Sequence, residues 1–297
     1  MARWTAADVP DQSGRIAVVT GASAGLGLET ARVLAARGAV VVLACRDTAK
    51  GAAAIGGARV VELDLASLGS VREAAEIIRT TCPRLDLLIN NAGVMNVPFQ
   101  RTEDGFELTF GTNHLGHFAL TGLLLTHLLR TGGSRVVTVT SNAHRRGRLD
   151  LDPEQEYKAG TAYDRSKLAN LLFAYELQHR LDAAGATTAS LAAHPGNART
   201  GLWRTSSGLE RLLIGRALRP VNFWLAQDAH QGALPQLRAA TDLSARGGEC
   251  YGPDGWFQYA GSPGRVRTSP SSYDREAAKR LWTLSEQLTE VSYPVTA

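Results

Sequence analysis

The sequence predicts an α/β fold: a doubly wound parallel sheet of about seven strands flanked by helices, in a single domain over residues 1–297. Strand-like and helix-like segments alternate to about residue 200. A glycine turn, Gly21-Ala22-Ser23-Ala24-Gly25-Leu26-Gly27, joins the first strand to the first helix. The polar motifs fall just after strands, where this architecture binds ligands.

The apolar run Ile16–Thr20 is the first strand, and residues 28–36 read as the helix that follows. In the intervening turn, glycines let the backbone bend tightly and approach a ligand closely. Free N–H groups at the helix start suit a pyrophosphate. Residues 40–44 are a short continuous apolar run, as expected of a strand buried on both faces. Residues 58–63 form a weaker third strand. Ser67 caps a helix running to Thr81, which Pro83 ends. Residues 85–89 are the fourth strand, followed by a long helix over 105–129 that bends near Gly111 or Gly116. Residues 135–140 are the fifth strand, 162–184 a strong helix closed by Gly185, and 189–193 the sixth strand. Phe223, Trp224 and Leu225 read as part of a core helix. Residues 274–291 form an amphipathic helix with Leu281, Leu284 and Leu288 on one stripe, suited to covering a pocket or to contacting another subunit.

Composition narrows the function classes. Of the 297 residues, 44% are hydrophobic and 20% charged, as in ordinary soluble proteins. The net charge of +4 comes from scattered arginines, and Arg145-Arg146-Gly147-Arg148 is too short for a nucleic-acid footprint and reads as a solvated loop. Cys45, Cys82 and Cys250 are far apart and fit no metal-ligand spacing, which points to free thiols in a reducing cytoplasm. Residues 1–14 are polar and form neither a signal peptide nor a membrane span, and the apolar run 120–129 is too short to cross a bilayer. The expected partner is a small molecule, not a nucleic acid or a membrane.

Tyr163 and Lys167 lie four residues apart in the strongest helix and share a face. A cation held about 4 Å from a phenol, at an effective dielectric of about 20, favours phenolate by roughly 4 kcal/mol. That is on the order of three pKa units, and it brings the hydroxyl near neutrality, where it can exchange a proton with an alcohol or carbonyl. Ser141 ends the fifth strand, so its hydroxyl reaches the same mouth of the sheet and can hydrogen-bond a substrate oxygen. Asn90-Asn91-Ala92-Gly93 ends the fourth strand and can brace its turn. Asn113 sits inside a helical pattern, where asparagine is intrinsically unfavourable.

In this order, the glycine turn, Asn90-Asn91-Ala92-Gly93, Asn113, Ser141, Tyr163-x3-Lys167 and Pro195-Gly196 resemble the short-chain dehydrogenase/reductase family over residues 16–200. Ala44-Cys45-Arg46-Asp47 and Tyr163-x3-Lys167-Leu168-Ala169-Asn170 resemble its retinol dehydrogenase-like branch, which includes relatives of protochlorophyllide reductase. The resemblance implies a Rossmann-type fold and a catalytic tetrad of Asn113, Ser141, Tyr163 and Lys167. Tyr163 would be the general acid/base, Lys167 would lower its pKa and hold the nicotinamide ribose, Ser141 would orient the substrate oxygen, and Asn113 would place a water in a proton relay. It implies cofactor contacts at Gly21, Ser23, Ala24, Gly25, Leu26 and Gly27, at Asp64 and Leu65 beside the adenine, and at Asn91, Ala92 and Gly93. Pro195, Gly196, Ala198 and Thr200 would meet the nicotinamide. His194 supports the strand end. An acidic residue after the second strand would bind the ribose hydroxyl of NAD. Here Cys45 takes that position and Arg46 follows, a residue that can pair with a 2′-phosphate, so NADP is expected over NAD. The segment from His144 to Gly160 would sit beside the substrate entrance. A helical lid over 201–220, with Leu202, Trp203, Leu209, Leu212, Leu213 and Ile214, would cover the nicotinamide or pack on the protein body.

The expected activity is reversible hydride transfer between NADP and an apolar ketone, aldehyde or alcohol. The alternatives are a catalytically silent nucleotide-sensing module of the same fold and an epimerase or isomerase. Pairing into a homodimer or homotetramer through the long helices that carry Asn113 and Tyr163 is also implied.

Overall fold

The computed structural model describes residues 3–150, 156–197 and 228–295. Eight strands form one sheet: β1 (Ile16–Thr20), β2 (Val40–Cys45), β3 (Arg59–Glu62), β4 (Leu87–Asn90), β5 (Arg135–Val139), β6 (Ala189–Ala193), β7 (Cys250–Pro253) and β8 (Pro263–Arg265). Their order is β3-β2-β1-β4-β5-β6-β7-β8. The first seven run parallel, and β8 is an antiparallel edge beside β7. The doubly wound sheet is as predicted, with the three-residue β8 added at its edge. The strand order reverses between β1 and β4, which opens a crevice at their carboxyl ends.

The inner parallel strands are mainly apolar because helices cover both faces, whereas the edge strand β3 carries Arg59 and Glu62. Residues alternate between two cores. Val18, Val42, Leu88 and Val136 face one core with α3 (Leu68–Thr81) and α5 (Gly116–Leu129). Val19, Leu43, Ile89 and Val137 face the other with α1 (Gly25–Ala36) and α7 (Ala229–Thr241). Burying each such side chain contributes roughly 1.5–3 kcal/mol. Ser67 caps α3 by accepting from Ser70 N, as its position predicts. The fourth strand begins two residues later than predicted, although Asp86 already bonds to both neighbouring strands: its N–H donates to Ile16 O, its carbonyl accepts from Arg135 N, and its carboxylate takes the Ile16 N–H.

The long helix predicted over 105–129 is three pieces. A short turn, α4 (Leu108–Phe110), leads into a π-helical segment, Gly111–Leu115, and then into α5. The π-helical segment starts at one of the two predicted glycines and ends just before the other. A Cβ on Gly116 would meet the Leu65 carbonyl at 2.5 Å, so only glycine lets the helix lie this close to the chain leaving β3. α6 (Ala159–Ala183) starts three residues earlier than predicted, and Gly185 follows it with φ 62°. Sequence reading left out α2 (Thr48–Ala54), α7, β7 and β8. Phe223, Trp224, Leu225 and the lid segment 201–220 lie outside the described residues.

The C-terminal helix, α8 (Arg275–Thr289), turns its apolar stripe onto α6 and α5 of its own chain. Trp282 is 2% exposed. It stacks on Phe173, meets Phe118 and Tyr293 edge to face, and carries the Arg180 guanidinium over its ring at 4.3 Å. His114 Nε2 is 2.8 Å from Ser285 Oγ, and the Tyr293 hydroxyl donates to Phe118 O at 2.7 Å. Trp282→Ala is expected to destabilise the protein by about 3–5 kcal/mol through the cavity it leaves. Urea unfolding measures this, and a loss below about 1 kcal/mol would mean that the helix contributes little to the core.

Candidate functional site

A cavity of about 530 Å³ opens along the carboxyl ends of β1, β2 and β4. One side is the turn from Gly21 to Leu26, where Gly21 takes φ 66° and Gly25 takes φ 58°. Gly27 lies behind the turn. A Cβ there would come within 2.5 Å of Asn91 Nδ2 and 2.7 Å of the Gly21 carbonyl, so glycine is required for helix and turn to touch. The N-cap of α1 is Ala24, which offers no side-chain acceptor, and the first N–H groups of the helix stay available to a ligand.

Arg46, Asp64, Leu65, Asn91, Ala92 and Gly93 line the same cavity, so the predicted cradle residues described in this region converge. Cys45 is buried. Asp47 does not fold back on Arg46, because its carboxylate accepts from Lys50 N at 2.9 Å and caps α2. Arg46 is exposed and has no ion pair among the described residues. Asn90 and Asn91 brace the strand end, donating to Thr121 Oγ1 at 2.9 Å and to Thr20 O at 2.8 Å. Ala198 and Thr200 lie outside the described residues. Gly196 N donates to His194 Nδ1 at 3.3 Å.

Gly93 forms the wall between this cradle and the predicted tetrad. A Cβ on it would lie 3.0 Å from Asn113 Oδ1 and 3.5 Å from Lys167 Nζ. Asn113 is fully buried in the π-helical segment, a type of helix irregularity frequent at functional sites. Its Oδ1 accepts from Val94 N at 2.7 Å, and its Nδ2 donates to Val94 O and to Ser166 Oγ. The side-chain amide therefore clamps the loop after β4 onto α6. Lys167 Nζ donates to Val139 O at 3.2 Å and lies 5.6 Å from the centre of the Tyr163 ring.

The Tyr163 phenol is not lowered as its helical spacing to Lys167 suggests. Burial dominates and raises the phenol above its ordinary value. The neighbouring Ser141 hydroxyl and the Arg146 guanidinium oppose that rise, while Asp164 adds to it. Burial also pushes Lys167 down to about 8. The ammonium is turned toward the end of β5, so desolvation of the phenol outweighs its field.

Arg146 belongs to the cluster read from sequence as a solvated loop, and its side chain is exposed as that reading expects, but it is also paired. Its guanidinium forms a two-pronged pair with Asp164 at 2.8 and 2.9 Å, next to Tyr163. Gly147 packs so tightly on α6 that a Cβ would meet the Asp164 carbonyl at 2.6 Å. The start of the 144–160 insertion is thus docked on the helix carrying Tyr163 and Lys167, and residues 151–155 lie outside the described residues. His144 and His194 are buried supports. His144 Nδ1 donates to Ser141 O at 2.6 Å, and its Nε2 accepts from Ser269 N. His194 Nε2 donates to Gln258 Oε1 at 3.1 Å. Among the described residues there is no metal-binding cluster and no helix long and apolar enough to cross a membrane.

A family model described as short chain dehydrogenase matches residues 15–208. Human retinol dehydrogenase 13 is 40% identical over 296 residues, covering 95% of this chain and 86% of that protein. A crystal structure of an uncharacterized protein from Mycobacterium paratuberculosis shares 45% identity at a TM-score of 0.82, covering 99% of this chain and 100% of that one. The Pseudomonas aeruginosa RhlG/NADP active-site complex shares 25% identity at a TM-score of 0.62, covering 81% of this chain and 94% of that one.

Burial holds four histidines neutral, pushing His114 and His194 down to about 3 and His117 and His144 down to about 4, from 6.5. Between those values and 6.5 the unfolded chain binds more protons than the folded one. Their contribution to stability is therefore complete above pH 6.5 and lost as pH falls toward 4, by up to about 1.4 kcal/mol per pH unit for each ring. Urea midpoints measured from pH 7 down to pH 5 should fall steadily. A flat profile would show that these rings titrate normally.

Proposed function

Because the chain belongs to the short-chain dehydrogenase family, in its retinol dehydrogenase-like branch, and is an oxidoreductase acting on alcohol or carbonyl groups, we propose that it uses NADP(H) on an apolar substrate with Tyr163 as general acid/base. The observation that carries the reading is Gly93, which joins the cavity at the glycine turn to Asn113 and Lys167 through one wall.

The residues present fit the cofactor. The uncapped start of α1 would take the pyrophosphate, Asp64 and Leu65 the adenine, and Lys167 the nicotinamide ribose. Arg46 would take the 2′-phosphate, and its freedom from Asp47 supports NADP over NAD. Bound there, the nicotinamide would supply or accept the hydride. The named substrate of the retinol dehydrogenases, an apolar alcohol, supports a like substrate here, as do Val94, Met95 and Val97 along the cavity.

The chain's own groups then manage the proton. The Tyr163 hydroxyl donates to the substrate oxygen in reduction and takes the proton back in oxidation. Ser141 orients that oxygen and shares its developing charge. A phenol raised by burial remains protonated at neutral pH, which suits donation to a carbonyl. Asn113, clamped between Val94 and Ser166, fixes the floor beneath Lys167.

Tyr163→Phe should lower turnover by about 10²–10⁴-fold while NADPH still binds, as read by NADPH fluorescence. Equal loss of binding and turnover would make Tyr163 a structural residue. Arg46→Asp should raise the Kd for NADPH far more than that for NADH, and an unchanged preference would remove the assignment of NADP.

A further inference from the structure

The turn between β7 and β8 carries a feature that the proton chemistry does not use. Trp256 and Phe257 are 73% and 65% exposed, and their rings meet edge to face with centroids 4.5 Å apart. Tyr259 completes the cluster at 6.2 Å from Phe257. Grouped aromatics at a surface mark a binding site more often than singly scattered ones do.

The backbone beneath them is strained. Phe257 and Gln258 are consecutive non-glycine residues in the left-handed region, with φ 47° and 59°. Such a conformation persists only where its surroundings over-determine it, and here polar groups that follow β5 and β6 hold it. Asn142, next to Ser141, donates its side-chain N–H groups to the Phe257 and Gln258 carbonyls at 3.3 and 2.9 Å. His194 holds the Gln258 side chain at 3.1 Å. Asn197 N donates to Tyr259 O at 2.8 Å. The anchors thus follow the ends of both β5 and β6, and one of them, Asn142, is the immediate neighbour of Ser141.

We propose that Trp256, Phe257 and Tyr259 form an aromatic wall at the mouth of the substrate site that selects carbonyls and alcohols with an extended apolar tail, and that Asn142 is the positioning residue that seats it. The proposal rests on the oxidoreductase reading for the reacting end of the substrate and adds a site for the remainder. Ring faces and edges supply contact along a chain, and each methylene they bury strengthens binding by up to about fourfold. A short carbonyl occupies only the part beside Ser141.

The test compares propanal with decanal in NADPH-dependent reduction and measures decanol binding to the NADP⁺-loaded protein by calorimetry. In the wild type, kcat/KM should favour decanal. In Trp256→Ala/Phe257→Ala the decanal-to-propanal ratio of kcat/KM should fall at least tenfold through KM, with a matching loss of decanol affinity. Asn142→Ala should lower the ratio severalfold, in KM and not in kcat. A double variant with wild-type ratio and decanol affinity overturns the wall. So does a double variant with wild-type decanol affinity whose only change is a shift from dimer to monomer in sedimentation, because the rings would then be a contact between copies. If the wild type reduces no aldehyde yet its decanol affinity still falls in the double variant, the wall stands and the proposed reaction fails.

Discussion

The arrangement of the site depends on one buried hydroxyl. Thr20 ends β1 with no exposure to solvent, and its Oγ1 accepts the N–H groups of Asn91 and Ala92, both at 2.9 Å. Its single proton goes to His117 Nε2, also at 2.9 Å, in preference to the Ile89 carbonyl at 3.4 Å, because Asn113 O on the other side of the ring can only accept. The opposite ring nitrogen, Nδ1, then carries hydrogen and donates to Asn113 O at 3.1 Å. A ring held neutral by burial can serve as acceptor on one side and donor on the other; an imidazolium could not. Hydrogen bonds running in one direction therefore tie the ends of β1 and β4 to the π-helical segment. The cradle and the floor below Lys167 are fixed relative to each other through this link.

The same economy governs the other side of the site. Ser141 is held by His144 at its carbonyl, and the loop that follows is held by the Arg146–Asp164 pair. Thr140 Oγ1 donates to Lys167 O at 2.7 Å, which pins α6 to the end of β5. Rigid elements thus carry Ser141, Tyr163 and Lys167, and their mutual placement follows from packing between the sheet and one long helix.

Much of this was legible in the sequence, and the limits have physical causes. The buried strands announced themselves as continuous apolar runs, and the glycine turn did so because only glycine tolerates Gly21's positive φ and Gly27's close approach. Helix α7 was obscured by Pro235 in its interior, and α2 by seven residues too small and too few for a periodic stripe. β7 and β8 hold together by pairing, with Gly252 and Pro253 where a strand pattern needs side chains. Arg146 is solvated as read, but its pairing was not legible because its partner lies eighteen positions away on another element. The tyrosine estimate failed for a related reason. Helical spacing shows that two residues share a face but not where a flexible lysine points, and it leaves out the cost of desolvating the phenol. Trp256, Phe257 and Tyr259 carried no periodic signal, and only the fold sets their turn against Asn142.

The docked C-terminal segment has a further consequence. Gly122 on α5 lies so close to Val291 and Tyr293 that a methyl group would not fit between them, and residues 166–178 of α6 are buried throughout. A second copy approaching along these helices would compete with a tether that is always at hand. An attached competitor acts at an effective concentration near the millimolar range, well above that of a free subunit in dilute solution. Association through this face would first require residues 275–295 to be evicted, exposing Trp282 to water.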